Sequence, residues 1–500
     1  MYTRGLLYLL AVITFTACDL DEELREDLTG AEAEEFLAAA SPEQIEALIN
    51  GAYNDFNLPF QDQSRYWAAQ EHTGDLAIGP TRGGDWDDGG VWRVLHDHTW
   101  SADHAFLGDT FTEILQALFS TTNALQFEAS MSPDQIAELR FLRAFAVFSI
   151  ADGWGQVPFR EAGEDLTQPS QVLTGEEALA FVISELEASI ADLPDMPTNK
   201  ANKDAARVLL MKAYLNRGTF GSRANPQFPA DDMNRVIALA DQITGYSLDD
   251  AYFDNFAVNN DMVSSENIWT LENTAGINRT NGNTVRSRWF CTLHYNQNPS
   301  GWNGFTTLSD FYDTFEEADM RRYAETSAFE SLGFNNGFLI GQQFNVAGEA
   351  LLDRNGNPLD FTRDVALIES GGNLEVTGIR VMKYIPDTEN GDDIENDAVI
   401  FRYADVLLMK AEAMLRTGRE GEATAIVNEI RTIRGASEFA ALNLDNLLAE
   451  RARELYWEGW RRQDLIRFGK FLESWQNKPA STEERLLFAI PAEQVALNPN

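Results

Sequence analysis

Two stretches of this chain gather aromatic side chains among polar ones. In the first, Trp86, Trp92 and Trp100 lie close to Asp75, Arg82 and Asp85. In the second, Trp289, Tyr295 and Trp302 lie close to Arg286 and Asn303. Together these residue types can hold a carbohydrate. A sugar ring presents a face of C–H bonds that stacks on an aromatic ring, and its hydroxyls need fixed donors and acceptors such as Asp, Asn and Arg. Any single tryptophan is as readily a core residue, because its large apolar body is usually mostly buried. Several of them in loop-rich stretches, with little core to enter, are expected to share one exposed surface. The residues singled out for ligand contact are Asp75, Arg82, Trp86, Trp92, Trp289, Tyr295 and Trp302.

Other groupings could do catalysis. Glu454 and Glu458 are four residues apart, so on one helix their carboxylates share a face. Paired carboxylates are the machinery of glycoside hydrolysis. Here Arg451, Arg461 and Arg462 crowd them, and Glu458 and Arg462 are spaced as an i,i+4 pair. Arginine partners hold carboxylates ionised and unfit to donate a proton, so a structural ion-pair network is expected. His96-Asp97-His98, with His104 nearby, is the one histidine cluster. Alternating histidines on a strand share a face and could bind zinc, but no HExxH pattern or cysteine ligand joins them. There is no GxSxG elbow, no phosphate-binding loop and no GxGxxG after a strand. The expectation is a binding protein that catalyses nothing and needs no metal or cofactor. The rival readings are a secreted glycoside hydrolase using Glu454 and Glu458, and a helical scaffold that binds only protein.

Composition narrows the partners. The 500 residues carry 79 acids against 38 bases, a net charge of −41. That argues against nucleic acid and against an anionic lipid surface as partners, though not against sugars or peptides. With 44% hydrophobic residues, the chain can bury a large core. At the N-terminus, Met1–Arg4 has one positive charge, Leu6 to Phe15 is apolar, and Phe15-Thr16-Ala17-Cys18 places small residues before a cysteine. The pattern is that of a signal peptide, too short to span a bilayer, and its end resembles a bacterial lipobox, whose cysteine is acylated. With lipid on Cys18, Cys291 has no disulfide partner. Asp19 to Asp27 is an acidic leader. The organisation expected is a signal peptide over 1–17, a leader over 18–40 and a single domain over 41–500.

The elements that must position these residues are mainly helical. Ser41-Pro42-Glu43-Gln44, Ser132-Pro133-Asp134-Gln135 and Thr174-Gly175-Glu176-Glu177 are capping boxes. Periodicity predicts helices over 43–56, 110–127, 133–151, 175–192, 203–217, 231–243, 402–416, 421–433 and 446–471. The second half of 133–151 is apolar nearly all round, so that helix is expected to be buried. Val208-Leu209-Leu210-Met211-Lys212-Ala213 recurs as Val406-Leu407-Leu408-Met409-Lys410-Ala411, with Ala206 and Ala404 two residues before the copies, and each copy is expected to end at a glycine beyond its helix, Gly218 and Gly418. Each copy is followed by another helix, the pattern of tetratricopeptide hairpins. Residues 57–108 and 245–400 are loop-rich. In the second of these regions, Asp353 to Pro358 forms a turn that resembles a calcium loop only superficially, because its glycine comes too early. Short strands are expected near Phe338–Ile340 and Ile379–Tyr384.

Several motifs, in order, resemble the SusD/RagB family of outer-membrane nutrient-binding lipoproteins. Glu138-Leu139-Arg140-Phe141-Leu142-Arg143-Ala144-Phe145 leads into Gly153-Trp154-Gly155-Gln156-Val157-Pro158. Asp310-Phe311-Tyr312 leads to Asp319-Met320-Arg321-Arg322. Ile400 to Ala413 runs on to Val427-Asn428-Glu429-Ile430-Arg431. Glu450 to Leu455 is followed by Glu458 to Arg467, and Ile490-Pro491-Ala492-Glu493 and Asn498-Pro499 resemble the family's ending. The resemblance implies a mostly α fold, with tetratricopeptide-like helical hairpins as scaffold. Long irregular loops with a few short strands would form the ligand surface. It implies a glycan or other nutrient as ligand and a SusC-like TonB-dependent transporter as partner, with the lipoprotein acting as a lid. It also implies an outer-membrane location, with Cys18 carrying the lipid and Asp19 to Asp27 resembling an acidic export tag.

Overall fold

The computed structural model describes residues 40–277, 284–326 and 329–497. Cys18, the acidic leader and Asn498-Pro499 lie outside the described residues. The helical scaffold is built from α1 (Pro42–Asn54), α2 (Ala105–Ala124), α3 (Pro133–Trp154), α4 (Gly175–Ser189), α5 (Lys203–Gly221), α6 (Ala230–Ala240), α7 (Tyr403–Arg416), α8 (Glu420–Ile433), α9 (Leu444–Leu455) and α10 (Arg461–Arg467). Capping starts α1 as its sequence requires. The Ser41 hydroxyl accepts from the Gln44 N–H, and the Gln44 side chain accepts from the Ser41 N–H.

Successive helices pack on one another from α1 through α8, as in stacked helical hairpins. Every residue of α3 from Phe141 to Trp154 is buried, because α2 and α4 cover it on two sides and α5 on a third. The two repeat copies lie in α5 and α7. Helix α6 packs against both, so the repeat marks two adjacent hairpins although some 160 residues of loop and strand separate them in sequence. Gly418 ends its helix as expected, in a left-handed conformation at φ +78°. Gly218 does not. Helix α5 continues to Gly221, and a Cβ on Gly218 would lie 2.0 Å from the Gln227 carbonyl oxygen. That glycine lets the returning loop cross the helix closely.

The region predicted as one helix over 446–471 is two, α9 and α10. Between them Trp457 and Trp460 turn into the core, at 1% and 5% exposure, and Trp457 adopts φ +62°. Burying two indoles and donating the Gly459 N–H to the Glu71 carboxylate, 2.8 Å away, outweighs continuing the helix. Single helical turns that periodicity missed occur at Asn57–Gln61, Tyr66–Glu71 and Val91–His96.

The long loop-rich region carries short strands and single helical turns, such as Asn260–Val263, Ser287–Phe290 and Ser309–Tyr312. Ala398–Arg402 pairs antiparallel with Asn267–Leu271, and Arg380–Met382 pairs antiparallel with Asn336–Leu339, close to the strands expected there. A small ribbon, Gly341–Gln342 with Asp360–Phe361, projects the 353–358 turn. No helix among the described residues is long and apolar enough to cross a membrane.

Candidate functional site

The structure brings three of the singled-out aromatics together at the surface. Trp302 is the most exposed tryptophan among the described residues, at 47%. Its ring centroid lies 6.4 Å from that of Trp86 and 4.7 Å from that of Phe290. The Trp86 indole N–H donates to the Trp302 carbonyl at 2.8 Å, which joins the 83–90 loop to the 290–304 loop. Tyr295 is half-buried, and its hydroxyl lies 3.3 Å from an Asp85 carboxylate oxygen. Burial, then the Asp85 charge, pushes the Tyr295 hydroxyl above its ordinary pKa, so it stays protonated and can donate.

Backbone geometry supports this surface. Trp86, Asp88 and Asn303 adopt φ of +60°, +42° and +55°, a costly conformation for residues other than glycine. Gly304 lies directly beneath Trp86. A Cβ there would sit 2.2 Å from the indole, so only glycine leaves room for the ring. Beneath that, Phe305 packs on Trp86, Trp92 and His72 with centroids 4.9, 4.7 and 4.4 Å apart. The exposed rings therefore rest on a buried aromatic stack.

The rim is polar. Arg354, from the 353–358 turn, places its guanidinium 3.9 Å above the Tyr295 ring. It bonds Glu375 at 2.6 Å and Asp85 at 3.2 Å. Glu375 also meets the His294 Nε2 at 2.9 Å. The superficial likeness of this turn to a calcium loop has a structural explanation. The Asp353 carboxylate is taken up by the backbone N–H groups of Asn355 and Asn357, each at 2.8 Å. Sequence reasoning missed Arg354 and Phe290. No local pattern marks either residue, since the ribbon that delivers Arg354 is made by non-local pairing.

The other singled-out residues sit elsewhere or inside. Trp92 and Trp289 are 3% and 2% exposed and have no free face for a ligand. Trp92 supports the platform from below, and its indole N–H donates to Asp88 at 2.9 Å. Asp75 binds Arg461 through both carboxylate oxygens, at 2.5 and 2.7 Å. Arg82 is buried and donates to the carbonyls of Leu374 and Thr377 at 2.7 and 2.8 Å, which ties the loops together. Burial lowers its pKa to about 10. The geometry thus corrects the roles expected of these four, from ligand contact to support, and leaves Trp86, Tyr295 and Trp302 open to solvent.

The carboxylate pair is buried, away from solvent. Glu454 accepts from Arg321 at 3.0 Å, Arg402 at 2.7 Å and Arg434 at 2.9 Å. Burial would raise its pKa, but Arg434, Arg402 and Arg321 outweigh that and hold the carboxyl well below the usual range. The expected Glu458–Arg462 pair does not form, because the helix stops at Leu455. Glu458 instead meets Lys383 at 2.6 Å and Arg402 at 2.8 Å, and Arg462 turns to Asp152 at 3.3 Å. Ionised and enclosed, Glu454 cannot act as a general acid. The histidines are likewise taken up. His96 meets the Gln476 carbonyl at 3.0 Å, His98 the Thr73 carbonyl at 2.8 Å and His104 the Val91 carbonyl at 2.9 Å. Among the described residues no group of three or more His, Cys, Asp or Glu is placed to hold a metal ion.

Comparison with known proteins bears on the scaffold. The sequence profile of the SusD family matches residues 246–495, half of the chain. The starch-binding protein SusD of Bacteroides thetaiotaomicron is 25% identical over 379 residues, covering 67% of this chain and 64% of that protein. A solved laminarin-binding SusD-like protein superposes with a TM-score of 0.71 at 18% identity, over 91% of this chain and 98% of its own. A surface glycan-binding protein A from Bacteroides thetaiotaomicron, solved with laminarihexaose, gives a TM-score of 0.68 at 15% identity, over 92% and 98%. At such identities the solved structures establish the mostly helical fold. The profile match over half its length shows that this chain belongs to the SusD family.

Proposed function

We propose that this protein captures an oligosaccharide on the surface formed by Trp86, Tyr295 and Trp302. The observation that carries the reading is the exposed indole of Trp302 beside Trp86, held on a strained backbone and rimmed by Asp85, Arg354 and Glu375. Stacked rings supply the apolar contact a pyranose face needs, and the rim supplies fixed hydrogen-bonding groups. Relatives whose names record starch, laminarin and glycan binding support the ligand class. The protein contributes capture and orientation, without a catalytic step. An open platform of this kind binds weakly per site and so can release its ligand.

In this reading Cys18 is acylated, the body faces the cell exterior from the outer membrane, and the ligand passes to a SusC-like TonB-dependent transporter. Two acyl chains or more give stable anchoring. Titration calorimetry with malto- and laminari-oligosaccharides tests the ligand class. Binding to at least one is expected, and silence across a broad glycan panel refutes it. Cys18→Ala is expected to release the protein from the membrane fraction, and retention there refutes the anchor.

A further inference from the structure

Resting on the carbohydrate reading above, we infer that the ligand is an uncharged glycan, and that the platform rim selects against glycans bearing uronate or sulfate. The inference comes from how the cations at the rim are occupied. Arg354 is held between Glu375 and Asp85, at 2.6 and 3.2 Å. Arg286 lies 3.7 Å above the Phe290 ring and pairs with Asp392 at 2.5 Å. Arg93 pairs with Asp87 and also donates to Thr81. Behind the platform, Arg380 is buried and donates to Asn303 at 2.8 Å and to the Glu375 carbonyl at 2.9 Å. Arg82 is committed to carbonyls in the same way. Among the described residues at this rim, exposed Arg354 and the partly buried Arg286 and Arg93 each already have a carboxylate partner.

Apart from Glu375, whose side chain is 13% exposed, the rim carboxylates face solvent. The side chains of Asp85, Asp87 and Asp392 are 53%, 45% and 77% exposed, and Asp88 is exposed beside them. An anionic sugar reaching for Arg354 or Arg286 must break an existing ion pair and leave a carboxylate uncompensated beside its own charge. A sugar hydroxyl meets no such conflict, because it can donate to Asp85, Asp87 or Asp88 in a charge-assisted hydrogen bond. The whole-chain charge of −41 acts in the same direction. It repels a polyanion on approach, over a range set by the Debye length of about 10 Å at 0.1 M salt.

The test compares one backbone in two charge states. Calorimetry on the intact protein uses whichever oligosaccharide of the neutral panel binds, and the same oligosaccharide carboxylated at C6. At low salt the neutral form is expected to bind at least about tenfold more tightly, with the gap narrowing as salt screens the repulsion. Asp392→Asn, which releases Arg286, and Asp85→Asn, which releases one side of Arg354, are each expected to narrow the gap at low salt. Equal or tighter binding of the carboxylated form by the wild type overturns the inference while leaving the carbohydrate reading intact. A gap that neither variant narrows overturns the assignment to this rim. Failure of every neutral and anionic glycan to bind overturns the carbohydrate reading itself.

Discussion

Replacing Trp302 with alanine separates surface from core more sharply than any other single change. An indole side chain presents up to ~250 Å² of area. At 47% exposure, about 120 Å² of Trp302 is open to solvent. A pyranose stacks on one face and covers about half of that, roughly 60 Å². At ~25 cal/mol per Å², the contact contributes about 1.5 kcal/mol. Trp302→Ala should therefore weaken glycan binding about tenfold. The backbone carbonyl that accepts from Trp86 remains, so the partner ring keeps its anchor. Folding stability should fall less than for a fully buried tryptophan, because only about half of the ring is packed, on Phe290 and Trp86. Trp289→Ala should do the reverse. Its ring is 2% exposed, so the variant loses about 3–5 kcal/mol of stability through the cavity it leaves. The assay is calorimetry on both variants beside urea unfolding. An unchanged Kd in Trp302→Ala, for every glycan the wild type binds, refutes the platform.

Other consequences are as direct. Gly304→Ala places a methyl group where the Trp86 indole lies, so it should displace that ring and weaken binding as much as Trp302→Ala, with a shift in tryptophan fluorescence. Glu454→Gln removes the charge that compensates three buried arginines and should cost about 3–5 kcal/mol in denaturant unfolding. Burial raises the Glu71 carboxyl to about 7, above the ~4.3 of an unfolded chain. The native state then holds more protons between those values, so this contribution is complete below pH ~4.3 and is lost as pH rises through 7. Glu71→Gln should flatten the decline in urea midpoint over that window, and an unchanged slope refutes the assignment. Glu412 and Glu450 act oppositely. Burial opposes their ionisation, but Arg467 and Arg321 respectively outweigh it and lower both to about 2. Their contribution is present above pH ~4.3 and is lost as pH falls toward 2, so acid unfolding should begin in that window.

Much of the scaffold was legible because its signals are local. Capping boxes, helical periodicity and the repeated Val-Leu-Leu-Met-Lys-Ala segment depend on residues within a turn or two of each other, and the structure places helices at each. Gly218 was misread because its role is set by the Gln227 carbonyl crossing above it. The 446–471 helix was overextended because periodicity does not register that Trp457 and Trp460 find a core outside their own helix face. At the proposed surface, the two loops that composition singled out meet in the fold, with Trp86 bonded to the Trp302 carbonyl and Tyr295 close to Asp85.

The sequence by itself determined the helical hairpins, the acidic surface and the aromatic supply of the two loops. These follow from residue type and short-range spacing. Only the tertiary structure decided which tryptophans face solvent. Trp289 and Trp302 stand thirteen residues apart in one loop region, and one is buried while the other is the most exposed of the described tryptophans. Exposure depends on what packs against a ring from distant parts of the chain: Gly304 beneath Trp86, and Arg354 carried in over Tyr295 by a ribbon closed through strand pairing. Packing of that kind is a long-range property of the folded chain and leaves no local pattern in the sequence.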